Sequence, residues 1–178
     1  MSIGIWRRWR WELNKLCFCG RGFELHYKKI KQLLVGFETF CSGDCLHKYL
    51  VDNDFNAGRE IEEFPNVYPA QMDEPFDYWC KQTRTFFRSK SESTFAIWCD
   101  HSSIKWKYEP YKLYLQLQTS YTPDFWLPEL GHLIEVKGVW SGKAKKKMKL
   151  ARQYGYPIVL IPDYLIRKLS RKENYNGR

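Results

Sequence analysis

The residues best suited to chemistry sit in one short stretch, Tyr121-Thr122-Pro123-Asp124-Phe125-Trp126 followed by Leu133-Ile134-Glu135-Val136-Lys137-Gly138. On a strand successive side chains alternate between faces, so Glu135 and Lys137 project together while Ile134 and Val136 point the other way. Between the two pieces Pro128-Glu129-Leu130-Gly131 is a turn signal, which predicts a hairpin that brings Asp124 alongside Glu135. Two converging carboxylates make a hard-oxygen site suited to Mg²⁺ or Mn²⁺, an ion that keeps several waters and needs only one or two protein carboxylates. A lysine beside them can orient or deprotonate an attacking water and offset charge that develops on a phosphate. Glu-x-Lys by itself describes an ordinary surface salt bridge. What sets this one apart is its company: Pro-Asp at hairpin spacing, apolar residues flanking both pieces, and Gly138 directly after.

The elements that must position these groups can be read around them. Residues 84–100 read as a helix, with Phe87, Ser91, Thr94, Phe95 and Trp98 near one face. Residues 104–108 and 112–117 are strand-like, and 123–127 and 132–136 form the hairpin. A lysine-rich helix begins after Gly142, with Ala144, Met148, Ala151 and Tyr154 or Gly155 on its inner face. Residues 157–162 form a buried strand ended by proline, and a basic tail covers 167–178. The order is helix, several strands, helix, strand, an α/β pattern without internal repeats.

Taken together, Tyr108-Glu109-Pro110, Pro123-Asp124 and Glu135-Val136-Lys137-Gly138 resemble the PD-(D/E)xK nuclease superfamily, and within it the phage- and transposon-associated endonuclease branch, over about residues 84–162. The resemblance implies a restriction-endonuclease-like core: a helix, a mixed sheet with an antiparallel hairpin, a second helix and a strand. It implies that Asp124 and Glu135 bind the catalytic Mg²⁺ with help from the Val136 carbonyl, and that Lys137 positions the nucleophilic water. The carboxylate that the family carries on its first helix falls at Glu92, whose plain alternative is a solvated helix acid. In-line attack by water with departure of the 3′-oxygen is the implied reaction. The expected activity is metal-dependent endonucleolytic hydrolysis of DNA. The alternatives are a DNA-binding protein on an inactive nuclease-like scaffold, and a nuclease directed at RNA.

Composition agrees with a polyanionic partner. The chain has 29 Lys+Arg against 20 Asp+Glu, a net charge of +9, and cations that meet a nucleic acid release condensed counterions. The charge is unevenly distributed. Within 51–80, Asp52, Asp54, Glu60, Glu62, Glu63, Asp73, Glu74 and Asp77 face the single base Arg59, so the positive excess lies in the flanks. Lys143, Lys145, Lys146, Lys147, Lys149 and Arg152 on the lysine-rich helix are the expected DNA-backbone contacts. This suggests three regions: a zinc-finger-like module over 1–50, an acidic connector over 51–80, and the nuclease domain over 81–178. No run of about 18 apolar residues and no secretory signal are present, so no membrane partner is expected and the cytoplasm of a bacterial or phage-infected cell is the expected location. A homodimer is left open.

Four of the six cysteines fall in two close pairs, Cys17-Phe18-Cys19-Gly20 and Cys41-Ser42-Gly43-Asp44-Cys45. Four thiolates match a closed, structural zinc site, and such a site would reinforce a segment too short for a large core of its own. The arrangement resembles a treble-clef finger, although the one-residue gap in the first pair is shorter than usual and His26 or His47 could substitute. Four unconnected buried thiols are the plain alternative. Cys80 and Cys99 lack close partners and read as core residues.

Overall fold

The computed structural model describes residues 39–53, 66–70, 78–115, 119–137 and 141–173, with 171–173, 15–16 and 22–23 as backbone alone. Cys17 and Cys19 lie outside the described residues. In chain order the elements are β1 (Lys15–Leu16), β2 (Gly22–Phe23), α1 (Gly43–Asp52), β3 (Val67–Pro69), β4 (Tyr78–Cys80), β5 (Thr85–Phe87), α2 (Lys90–His101), β6 (Lys107–Tyr108), β7 (Tyr111–Tyr114), β8 (Ser120–Tyr121), β9 (Phe125–Leu127), β10 (His132–Lys137), α3 (Gly142–Gln153), β11 (Ile158–Pro162) and α4 (Asp163–Glu173). The fold is mixed α/β.

Its centre is a four-stranded sheet in the order β11-β10-β9-β6. The predicted hairpin is present, with β9 antiparallel to β10, and Gly131 takes the positive φ of 63° that its turn requires. After α3 the chain returns as β11, parallel to β10. Alternation sorts the side chains. Ile134 and Val136 join Phe125, Leu127, Val159 and Ile161 on the face covered by α2 and α4, with Phe95, Trp98, Leu165 and Leu169. Leu133, Trp126, Ile158 and Leu160 turn to the other face, against Met148 and Ala151 of α3 and against Leu113 and Tyr121. Each large apolar side chain so buried contributes about 1.5–3 kcal/mol, and the strand that carries Glu135 is thereby clamped from both sides. The second face is roofed by a smaller sheet, β3-β7-β8.

Three expectations are corrected. The first helix begins at Lys90, not at residue 84, because Ser89 caps it: its hydroxyl accepts from the Glu92 N–H at 3.3 Å and donates to the Glu92 carboxylate at 2.7 Å. Ser-x-x-Glu is a capping box, and ahead of it Thr85-Phe86-Phe87 pairs with Tyr78-Trp79-Cys80 as a hairpin. The basic tail is helical over Asp163–Glu173, with Tyr164, Leu165, Ile166 and Leu169 buried. The first strand is confined to Lys107–Tyr108, since the α2 terminus runs on through a turn in which Ser103 has φ 54°. Within the acidic stretch, β3 pairs with β7 and β4 with β5. Among the described residues, no helix is long and apolar enough to cross a membrane.

Candidate active site

The register of the β9–β10 hairpin pairs Ile134 with Phe125, and one further step along it sets Asp124 opposite Glu135. Both carboxylates are buried, 6% and 4% exposed, a costly arrangement for two anions. The contacts explain how they are held. The Val136 N–H donates to Asp124 Oδ2 at 2.6 Å. Lys137 Nζ meets Glu135 Oε1 at 2.7 Å, and the Tyr121 hydroxyl donates to Glu135 Oε2 at 2.6 Å. The sequence-predicted trio of Asp124, Glu135 and Lys137 is therefore brought together at one point.

Electrostatics follow from burial. Desolvation, and then the charge of Glu135, push the Asp124 carboxyl well above the usual range. Glu135 is likewise raised by burial, with Lys137 opposing. For Lys137 burial favours the neutral amine, but the adjacent Glu135 and Asp124 charges prevail and hold its pKa above the ordinary lysine value. Lys137 thus stands as a charged partner of Glu135. Burial and Glu135 keep the Tyr121 phenol protonated and donating.

Glu92 reaches this centre from the other side of the hairpin. Its charge acts on Asp124, Glu135 and Lys137. Its carboxylate also receives the Ser89 hydroxyl of the cap at 2.7 Å, the Arg88 N–H at 3.1 Å and the Tyr108 hydroxyl at 2.5 Å. The capping role and proximity to the cluster are therefore both present. Among the described residues no three His, Cys, Asp or Glu side chains group closely enough to ligate one ion; the cluster offers two hard carboxylates, Asp124 and Glu135, rather than a complete protein cage.

Four residues of the network carry no assigned role in the sequence reading: Tyr121, Tyr108, Arg88 and Glu109. Arg88 clasps the buried Glu109 through Nε at 2.8 Å and Nη2 at 3.0 Å, and the Glu109 N–H donates to the Asp124 carbonyl at 2.9 Å. Glu109 sits at φ 40°, which marks a forced turn between β6 and β7. The available signal was position: Tyr121 precedes Thr-Pro-Asp, and Tyr108-Glu109 stands at the strand end before Pro110.

Of the helix cations, Lys143, Lys146 and Lys149 are exposed, while Lys145 and Arg152 are half-buried. Lys147 is tied down, its ammonium donating to the Ser120 carbonyl at 2.7 Å. Cys41 and Cys45 come together at the start of α1, their sulfurs 3.2 Å apart. That helix docks on α4: Tyr164 Oη both receives the Phe40 N–H and donates to the Phe40 carbonyl. Lys168 Nζ donates to the Cys41 carbonyl at 2.7 Å.

Two known proteins are similar to the chain. Endodeoxyribonuclease 1 of Enterobacteria phage T3 is 36% identical over 101 residues, which cover 55% of this chain and 63% of that protein. Endonuclease I of Escherichia phage T7 is 37% identical over 70 residues, 38% of this chain and 46% of that protein. The chain thus spans less than two thirds of either relative's length. No family model matches the chain, and no solved structure matches it significantly.

Proposed function

We propose that the protein is a metal-dependent endonuclease that hydrolyses phosphodiester bonds in DNA, on a restriction-endonuclease-like core of the PD-(D/E)xK type. The observation that carries this reading is the hairpin that sets Asp124, Glu135 and Lys137 at one point, two of them buried acids. The phage relatives, named as DNA endonucleases, support it.

The donor set fits Mg²⁺ or Mn²⁺: buried hard oxygens, each with a pKa raised by desolvation, gain from a second cation beside Lys137. Asp124, Glu135 and the Val136 carbonyl would hold it. When bound, such an ion polarises the phosphate and acidifies coordinated water. The chain's own residues do the rest. Lys137, charged and fixed by Glu135, orients the incoming water and meets negative charge developing on the phosphate. Tyr121 and the Val136 N–H hold the carboxylates in place, and Glu92 adds an outer carboxylate. A structural Zn²⁺ on Cys17, Cys19, Cys41 and Cys45 is part of the same reading, supported by the paired spacing and by the convergence of Cys41 with Cys45.

The test is incubation of the purified protein with plasmid DNA, branched DNA and RNA, with Mg²⁺ or with EDTA. Cleavage of DNA that EDTA stops and Mg²⁺ restores is the expected result, with one zinc per chain by elemental analysis before and after. DNA binding without cleavage would favour an inactive scaffold, and preferential cutting of RNA would reassign the substrate.

Binding to the DNA backbone should be sensitive to salt, because each phosphate neutralised releases counterions. Replacing Lys143, Lys146 and Lys149 together by alanine should lower the slope of log affinity against log salt by about 2–3. Lys147→Ala should change that slope little, since its ammonium already serves Ser120. Binding titrations over a salt series decide it; equal slopes for wild type and the triple variant would exclude this helix face.

A further inference from the structure

The outer face of the small sheet is not used by the site just described. On β7 Tyr111 and Leu113 point inward, which turns Lys112 and Tyr114 outward, and the register sets Tyr68 of β3 opposite Lys112. Tyr68 and Tyr114 are 54% and 42% exposed. Their rings meet edge to face, with centroids 5.3 Å apart and planes at 89°. Lys112 Nζ stands 5.8 Å from the Tyr114 ring centroid. With Asn66 and Pro69 these side chains line a cavity of about 610 Å³, within the range of small-ligand sites. Among the described residues, the core contacts of the sheet are made by its opposite face.

The combination is specific in chemical terms. An exposed ring offers a π-face to any base, an adjacent ammonium meets a phosphate, and an asparagine amide can pair with a base edge. The neighbourhood adds to this. Tyr114 is paired with Ser120 of β8, whose carbonyl anchors Lys147 of the lysine-rich helix. The next residue, Tyr121, holds Glu135. The ring pair thus shares a three-stranded sheet with a support of the active centre, and β8 of that sheet meets the helix that presents Lys143, Lys146 and Lys149.

We propose that Tyr68, Tyr114 and Lys112, with Asn66, form a stacking site for an unpaired base of the DNA substrate. The inference rests on the DNA-endonuclease reading and adds to it a site for an unpaired base. The positive charge beside the rings selects a nucleic acid over an apolar peptide as the occupant.

The test uses the full chain and three labelled DNAs: a duplex, the same duplex with a thymidine bulge, and one with an abasic bulge. Affinities are measured in EDTA, and cleavage of plasmid DNA is measured separately in Mg²⁺. Wild type should prefer the thymidine bulge over the abasic bulge by about tenfold, the effect of one stacked base. Tyr68→Ala with Tyr114→Ala should abolish that preference and leave duplex affinity unchanged, while Tyr68→Phe with Tyr114→Phe should retain it. Thermal melting checks each fold, and Lys112→Ala with Tyr68→Ala serves as a second variant with a partial loss. A preference that survives both alanine variants, or an equal loss on duplex and bulge, overturns the site. Wild type that cuts plasmid yet shows no bulge preference overturns the site alone; wild type that neither binds nor cuts DNA overturns the nuclease reading with it.

Discussion

Asp124→Asn, Glu135→Gln and Lys137→Ala will each lower DNA cleavage in Mg²⁺ by about a thousandfold, the usual effect of removing one group that stabilises developing charge in a buried site. The choice of isosteres for the acids follows from their burial. Asp124 accepts the Val136 N–H and Glu135 accepts the Tyr121 hydroxyl. Alanine would leave those donors orphaned and confound lost chemistry with lost stability, whereas the amides keep an acceptor oxygen in place. Because the three groups act as a unit, the double and triple variants should be scarcely worse than the single ones. DNA affinity in EDTA should stay near that of wild type, since the proposed phosphate contacts lie on α3. Single-turnover cleavage with a circular-dichroism check on folding is the measurement. A correctly folded variant that cuts at the wild-type rate would remove that residue from the catalytic group.

Asp124→Asn should also make the metal-free protein more stable, by about 1–2 kcal/mol or roughly 3–6 °C in Tm for a chain of this size. Two buried carboxylates share one lysine, and both are pushed upward in pKa, first by desolvation. The sign follows from linkage. A carboxylate whose folded pKa lies above the unfolded value retains protons that the unfolded chain gives up. The metal-free wild type therefore loses stability as pH rises from about 4 through the raised folded values. The advantage of the Asn variant should appear over that rise and vanish below about pH 4. Mg²⁺ should reverse the ranking, because only wild type gains from binding it. Melting curves over pH with and without Mg²⁺ test this. An Asn variant that melts below metal-free wild type at neutral pH would show that the Asp124 charge stabilises the fold instead.

Much of the site was legible because its chemistry is local in sequence. Asp124, Glu135 and Lys137 belong to one hairpin whose turn residues and strand alternation are both visible in the chain, and the inward Ile134 and Val136 follow from the same period of two. The supports were not legible. Tyr121 and Tyr108 enter from separate strands and Arg88 from the bend before α2, and no periodicity tells which tyrosine of the twelve will meet a carboxylate. The helix start was misread because Phe87 falls at helical spacing from Ser91 and Thr94, while Ser89 and Glu92 set the boundary by capping. The last helix was hidden by composition: its Lys and Arg dominate the reading, but Tyr164, Leu165, Ile166 and Leu169 decide its packing. The zinc expectation rests on cysteine spacing, of which the structure describes one pair.

The seat of α1 on α4 has a bearing on how the protein comes to be made. Phe40 and Tyr164 bond across a separation of 124 residues, and a side chain at Gly43 would meet Leu169 at 2.8 Å. On the ribosome the segment around Cys41 leaves first and waits, its docking surface still unsynthesised, while the hairpin and its acids are translated. Until α4 emerges, Phe40 lacks its Tyr164 partner and the seat of α1 is incomplete. An early-translated segment with late-arriving shelter is the kind that chaperones hold.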